Sequence, residues 1–232
     1  MHRKDFLLNT SLGLIGALYV PEILIKEEVV LGHNNKRYKI NTRWSRADVS
    51  RNPVNDCHEM VQDSKGRIVL LTNETKNNVL IYNKNGKLLH TWGTEYPGAH
   101  GLTFFNENGE DVLFICDNNR HQVIKTTIDG RVLMTLDYPK ETGAYTKAEE
   151  YVPTETAIAS NGDIYVADGY GKDFIIQYDA KGKYIRHFGG RGTEEKHLAN
   201  AHGICIDARD KNNICLMVSS RQQNAFKRYS LD

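Results

Sequence analysis

Along most of the chain, apolar residues fall in short runs that alternate with polar positions instead of recurring at helical spacing. Ile164-Tyr165-Val166-Ala167 and Phe174-Ile175-Ile176-Gln177-Tyr178 show the period of two expected of strands. The runs are joined by short Gly-containing turns, N-G-D, K-N-G-K and K-G-K, that read as hairpin connections. The pattern predicts an all-β fold. Residues 68–71, 112–115, 164–166 and 214–218 are expected as the second strands of repeated units, and helix is expected to be nearly confined to residues 5–20.

Four segments repeat one pattern, beginning at Cys57, Ala99, Pro153 and Ala201: a His-like position, an apolar run, a turn, and further β runs. The His-register positions are His58, His100, Thr154 and His202, separated by 42, 54 and 48 residues. A period of about 40–50 residues with four strands per unit is the signature of propeller blades. The string NGDIYVADGY in the third unit resembles an NHL repeat. The expected architecture is therefore an NHL-type β-propeller over residues 31–232, with about four blades present of six. The blades should lie near 55–97, 98–150, 151–199 and, incomplete, 200–232.

Gly86, Gly130 and Gly182 mark one shared hairpin turn in the first three units, and the fourth ends before its copy. We expect from this a piece of a longer propeller, since an unpaired sheet edge is a liability. The alternative is a complete chain in which residues 37–45 supply the outer strand of the fourth blade.

Composition narrows the function classes. Thirty Lys and Arg against 29 Asp and Glu leave a formal charge of +1, so no overall field draws the protein to nucleic acid or anionic lipid. Residues 1–30 stand apart, with a basic start and then an apolar stretch. Arg3-Lys4-Asp5-Phe6-Leu7 resembles a twin-arginine export signal with Lys for the second Arg. The stretch is too short to span a bilayer comfortably, so no stable membrane span is expected and the protein should be periplasmic or extracellular. A buried N-terminal helix is the other reading. Cys57, Cys116, Cys205 and Cys215 form no C-x-x-C pair. They read as small core residues, with a Cys205–Cys215 cross-strand disulfide as the other option.

The first strand of each propeller blade lines the central channel, so His58, His100 and His202 should converge near the axis. Three neutral imidazoles suit zinc or a similar divalent ion. Hydrogen-bonded channel histidines without a metal are the alternative.

Over roughly residues 97–232 the chain resembles the peptidyl-α-hydroxyglycine α-amidating lyases. The family releases a peptide amide and glyoxylate from a hydroxyglycine-extended peptide. Its blade-start motif P-H-G-L is similar to Gly98-Ala99-His100-Gly101-Leu102, and its D-x-x-x-H-Q-V-x-K to residues 117–125. Further strings resemble residues 153–158 and 167–175, and a second P-H motif falls on Ala201-His202. The resemblance implies a six-bladed propeller, zinc on His100 and His202, and a structural calcium held partly by backbone carbonyls such as that of Leu102. It further implies an active-site Tyr at Tyr170 and an active-site Arg at Arg221. A second family Arg aligns with Asn73, the third zinc His belongs to a last blade, and His58 stands where the family has no ligand.

The implied chemistry is a metal-assisted lyase reaction: the metal acidifies a substrate hydroxyl, Tyr170 moves the proton and Arg221 holds a carboxylate. Tyr170 as a turn residue and Arg221 as a solvated cation are the plainer readings. The expected partner is a small molecule or peptide at the channel mouth of a monomer. The competing function is a non-catalytic propeller that binds peptide, glycan or protein, since fold does not fix function.

Overall fold

The structure is a computed structural model that describes residues 30–232. The signal-like segment and the helix expected at 5–20 lie outside the described residues. Two compact units are present. In the first, β1 (Val30–His33) pairs antiparallel with β2 (Lys36–Lys39). Residues 36–39 thus pair in a hairpin of their own.

In the second unit, four antiparallel sheets follow one another along the chain. The first holds β3 (Glu59–Gln62), β4 (Ile68–Leu71), β5 (Val79–Tyr82) and β6 (Leu88–Trp92). The second holds β7 (Ala99–Glu107), β8 (Glu110–Asp117), β9 (Gln122–Thr127) and β10 (Val132–Leu136). In the third are β11 (Glu155–Ile158), β12 (Ile164–Ala167), β13 (Phe174–Tyr178) and β14 (Tyr184–Gly189). The fourth has three strands, β15 (Ala201–Asp207), β16 (Cys215–Ser220) and β17 (Ala225–Ser230). Strand order is sequential in every sheet, which is the meander of a propeller blade. Helix among the described residues is limited to single 3-10 turns at Lys140–Thr142, Ala148–Glu150 and Arg221–Gln223.

Three apolar clusters hold the blades face to face. Val69, Leu71 and Val79 of the first blade pack with Leu113, Ile115 and Ile124 of the second. Val112, Phe114 and Cys116 meet Ile164, Val166 and Ile176, and Ala157, Tyr165 and Ile175 meet Leu216 and Val218. The second and third blades are packed by a neighbour on each side, and β12 is accordingly buried at every position, in place of the half-buried alternation that the sequence period suggests. β5 of the first blade is buried throughout as well: the second blade covers Val79 and Ile81, and the Trp44 ring lies 5.3 Å from that of Tyr82.

The shared hairpin turns also seat blade against blade. Gly86, Gly130 and Gly182 take φ of 79°, 90° and 80°, a region open to glycine at little cost. Gly130 packs on the indole of Trp92, whose Nε1 donates to the Ile128 carbonyl at 2.8 Å. Cys116 and Cys215 are buried as expected, whereas Cys57 and Cys205 are exposed and all four are free thiols. The β15–β16 register sets Cys205 opposite Met217 and Cys215 opposite Asp207, so the two thiols are not cross-strand partners.

Candidate metal centre

His58, His100 and His202 converge at one end of the inner strands, where β3, β7, β11 and β15 neighbour one another. Their metal-binding nitrogens all lie within 4.8 Å of one another. Ring centroids are 3.5 Å apart for His58 and His100, 5.1 Å for His100 and His202, and 5.7 Å for His58 and His202.

Local backbone explains how two of them reach the axis. The β7–β8 pairing shifts register between Ala99 and Leu102, and the β15–β16 pairing shifts between Ala201 and Ile204. In each case the His-Gly dipeptide faces a single residue of the next strand. An extra residue of this kind bends the strand and re-aims a side chain. Gly101 is required there, because a Cβ would run into the Thr154 carbonyl and the Glu155 backbone of the next blade.

His100 is buried and its ring is fixed from both sides. Its Nδ1 lies 2.8 Å from the Thr154 carbonyl. A carbonyl only accepts, so Nδ1 carries the proton and Nε2 is left as a lone-pair donor. Thr154, the one repeat position that is not histidine, thus positions a neighbour's imidazole. It is itself held by hydrogen bonds from Oγ1 to the carbonyls of Ala201 at 2.8 Å and Ala167 at 3.1 Å. Burial brings the His100 pKa down to about 4, with the nearby His58, His202 and Arg221 acting in the same direction against the Thr154 bond. Burial, with help from Arg221 and His58, also lowers that of His202. Both imidazoles are therefore neutral at pH 7, the form that binds a metal.

Tyr170 sits between them. Its hydroxyl is 3.2 Å from His100 Nε2 and 2.8 Å from His202 Nε2. The Tyr170 loop is anchored to the fourth blade, where Asn200 Nδ2 donates to the Gly169 carbonyl at 3.1 Å. The Arg221 guanidinium lies 5.8 Å from the Tyr170 ring centroid, at the start of the 3-10 turn after β16. Tyr170 and Arg221 thus meet at the histidines although they are 51 residues apart in sequence.

Asn73 lies at the rim of a cavity of about 500 Å³ whose lining also includes His58, His100 and Tyr170. Its Nδ2 donates to Asp56 Oδ2 at 2.9 Å, and its Oδ1 accepts from Asn55 Nδ2 at 2.7 Å. No cationic side chain lines this cavity.

Below the histidines, Leu102 lines a cavity of about 490 Å³ together with Glu59, Glu155, Thr103 and Thr156. Glu155 Oε1 accepts from Thr103 Oγ1 and from the Thr156 N–H, each at 2.9 Å. Burial, and then a hydrogen bond with Glu59, hold the Glu155 carboxyl well above the usual range. The residue pattern gave no role to this carboxyl pair. A signal was present, since both residues directly follow the repeat's His-register position, where the other two blades carry Gly101 and Gly203.

The three-imidazole donor set fits a divalent transition ion. Zinc–imidazole bonds of about 2.0–2.1 Å require the nitrogens to draw in by roughly an ångström. His58 is exposed and supplies that freedom. The carboxyl, hydroxyl and carbonyl oxygens around Leu102 are of the type that hard cations such as calcium prefer.

No protein-family model matches the chain. Peptidyl-alpha-hydroxyglycine alpha-amidating lyase 1 of Drosophila melanogaster is 35% identical over 108 residues, 45% of this chain and 19% of the relative. A probable peptidyl-alpha-hydroxyglycine alpha-amidating lyase of Caenorhabditis elegans is 30% identical over 152 residues, 62% of this chain and 41% of the relative. The chain thus spans less than half the length of these curated relatives. Among solved structures, a streptogramin B lyase superposes with TM-score 0.57 at 13% identity, covering 77% of this chain and 53% of that one. A structure described as a putative gluconolactonase gives 0.54 at 14% identity, covering 75% and 59%. At such identities the structures speak for the fold alone. Repeat pattern, meandering sheets and neighbours agree on an NHL-type fold of the six-bladed-propeller kind.

Proposed function

We propose that this protein is an exported, metal-dependent lyase that cleaves an α-hydroxylated amide, of the peptidyl-α-hydroxyglycine amidating type. The observation that carries the reading is the position of Tyr170, whose hydroxyl is within hydrogen-bond reach of two of the three converging imidazoles. His100 and His202, with His58 as the third ligand from the first blade, would hold zinc or a similar divalent ion. Such an ion supplies Lewis acidity that makes a bound hydroxyl easier to deprotonate.

The remaining steps fall to side chains of this chain. Tyr170 passes its own proton to the departing amide nitrogen and takes the hydroxyl proton in its place, while the O–H electron pair becomes the second bond of a carbonyl as the C–N bond breaks. Arg221, beside Tyr170, holds a substrate carboxylate so that the hydroxyl faces the histidines. The products are an amide and an α-oxo acid. Leu102 and the carboxyls below it are proposed to carry the calcium. A monomer working outside the cytoplasm on a peptide or small molecule at the channel mouth completes the proposal. Among the described residues no helix is long and apolar enough to cross a membrane.

The test is metal analysis of the purified complete protein together with turnover of an α-hydroxyglycine-extended peptide. About one equivalent of zinc, lost in a His100→Ala with His202→Ala variant, and release of peptide amide are expected. Metal content that does not respond to these substitutions would leave the histidines as channel lining and make the propeller a binding module.

A further inference from the structure

The cavity beside the histidines has an acidic lip with an unusual backbone. Asp56 takes φ of 40°, in the left-handed region that Asp and Asn enter more readily than other non-glycine residues but still at some cost in strain. Such strain persists where the surroundings impose it, often at ligand clamps. Here the surroundings are two amides: Asn73 Nδ2 at 2.9 Å and Asn55 Nδ2 at 3.2 Å both donate to Asp56 Oδ2. The Asn55 amide is in turn tied to Asn73 Oδ1 at 2.7 Å. The carboxylate is therefore held in one orientation, with its bonds from the described residues on Oδ2 and its Oδ1 left to accept. The cavity lining holds Asp56, Asn73, Asn118 and Asn119 but no Lys or Arg, while Arg221 approaches Tyr170 over its ring. The site is thus bipolar, with a guanidinium beside Tyr170 and a carboxylate at the cavity lip.

We infer that Asp56 is a specificity residue, which selects ligands that present a protonated amine at the cavity lip while their other end faces the histidines. The inference rests on the lyase reading for the identity of that other end, and names the substrate class as short peptide derivatives with a free amino group. An N-blocked residue in its place would offer the fixed carboxylate no charge, and an acidic one would be repelled by it.

The experiment is calorimetric binding of two probes, alanyl-alanine amide and its N-acetyl derivative, to the complete zinc-supplemented protein at pH 7. An exposed charge pair predicts about three- to fivefold tighter binding of the free amine. Asp56→Asn keeps the shape and suits the left-handed backbone, and should bring that ratio to about one without weakening the acetylated probe. Asp56→Lys should reverse it. Equal affinities in the unsubstituted protein, a ratio that survives Asp56→Asn, or no binding of either probe overturns the inference. Turnover of an α-hydroxyglycine peptide is measured alongside. Amine discrimination without turnover upholds Asp56 and removes the lyase reading, whereas turnover without discrimination removes Asp56 alone.

Discussion

The Tyr170 hydroxyl lies 2.8 Å from His202 Nε2, across a blade boundary and 32 residues along the chain. It also reaches His100 Nε2, and a phenol has one proton to donate. The hydroxyl is thus placed to exchange a proton at the point where the imidazole lone pairs meet.

Tyr170→Phe should therefore separate chemistry from metal binding. Zinc content is expected to stay unchanged while kcat falls by roughly 10²–10⁴-fold, the usual share of a general acid or base. A variant that keeps full turnover would reduce Tyr170 to a turn residue beside the site.

The two bulge glycines should differ sharply in tolerance. A Cβ at buried Gly101 would collide with the backbone of Thr154 and Glu155, and neither can move without disturbing the next blade. At exposed Gly203 the nearest neighbour of such a Cβ is Ser219 Oγ, at 3.3 Å. Gly101→Ala should cost about 1–3 kcal/mol, as overpacking does, and Gly203→Ala no more than about 0.5 kcal/mol. Denaturant unfolding of the two variants checks this, and equal losses would show that the blade contact at Gly101 is slack.

The three histidines were legible because they share one repeat position, and blade geometry converts equal register into a common point near the axis. The approach of Tyr170 and Arg221 to the histidines was expected only from the family resemblance, since a turn tyrosine and a loop arginine carry no periodic signal. The His-Gly bulges escaped the reading because they are properties of pairing, visible only when Ala99 is set opposite Asp117 and Leu102 opposite Ile115. Asp56 was hidden for a related reason. Its role depends on a left-handed φ and on amides that converge from positions 55 and 73. The residue pattern also understated burial, because it describes one sheet, and the second and third blades are covered on both faces by their neighbours.

His100 should titrate far below an ordinary histidine. Its folded-state pKa of about 4 lies below the reference 6.5, so the unfolded chain binds a proton that the folded protein refuses. The contribution to stability is complete above about pH 6.5 and is lost as pH falls from there towards 4. His100→Gln should flatten that part of the stability profile. In the metal-free protein the imidazole proton signal of His100, followed by NMR, should move only below about pH 5. A midpoint at 6 or above would mean that the ring is solvated.

Glu155 should act in the opposite sense. Its carboxyl is held above the reference 4.5 by burial and by the hydrogen bond with Glu59. The folded state therefore keeps a proton that the unfolded chain releases, so the stabilisation is present at low pH and fades as pH rises above about 4.5. Glu155→Gln cannot ionise and keeps a carbonyl oxygen for the donors Thr103 Oγ1 and the Thr156 N–H. In chelator, where no cation compensates the paired carboxylates, the variant should melt higher than the unsubstituted protein at pH 8 and converge with it near pH 4. A difference that is the same at both pH values would place the two carboxyls too far apart, or too well hydrated, to share a proton.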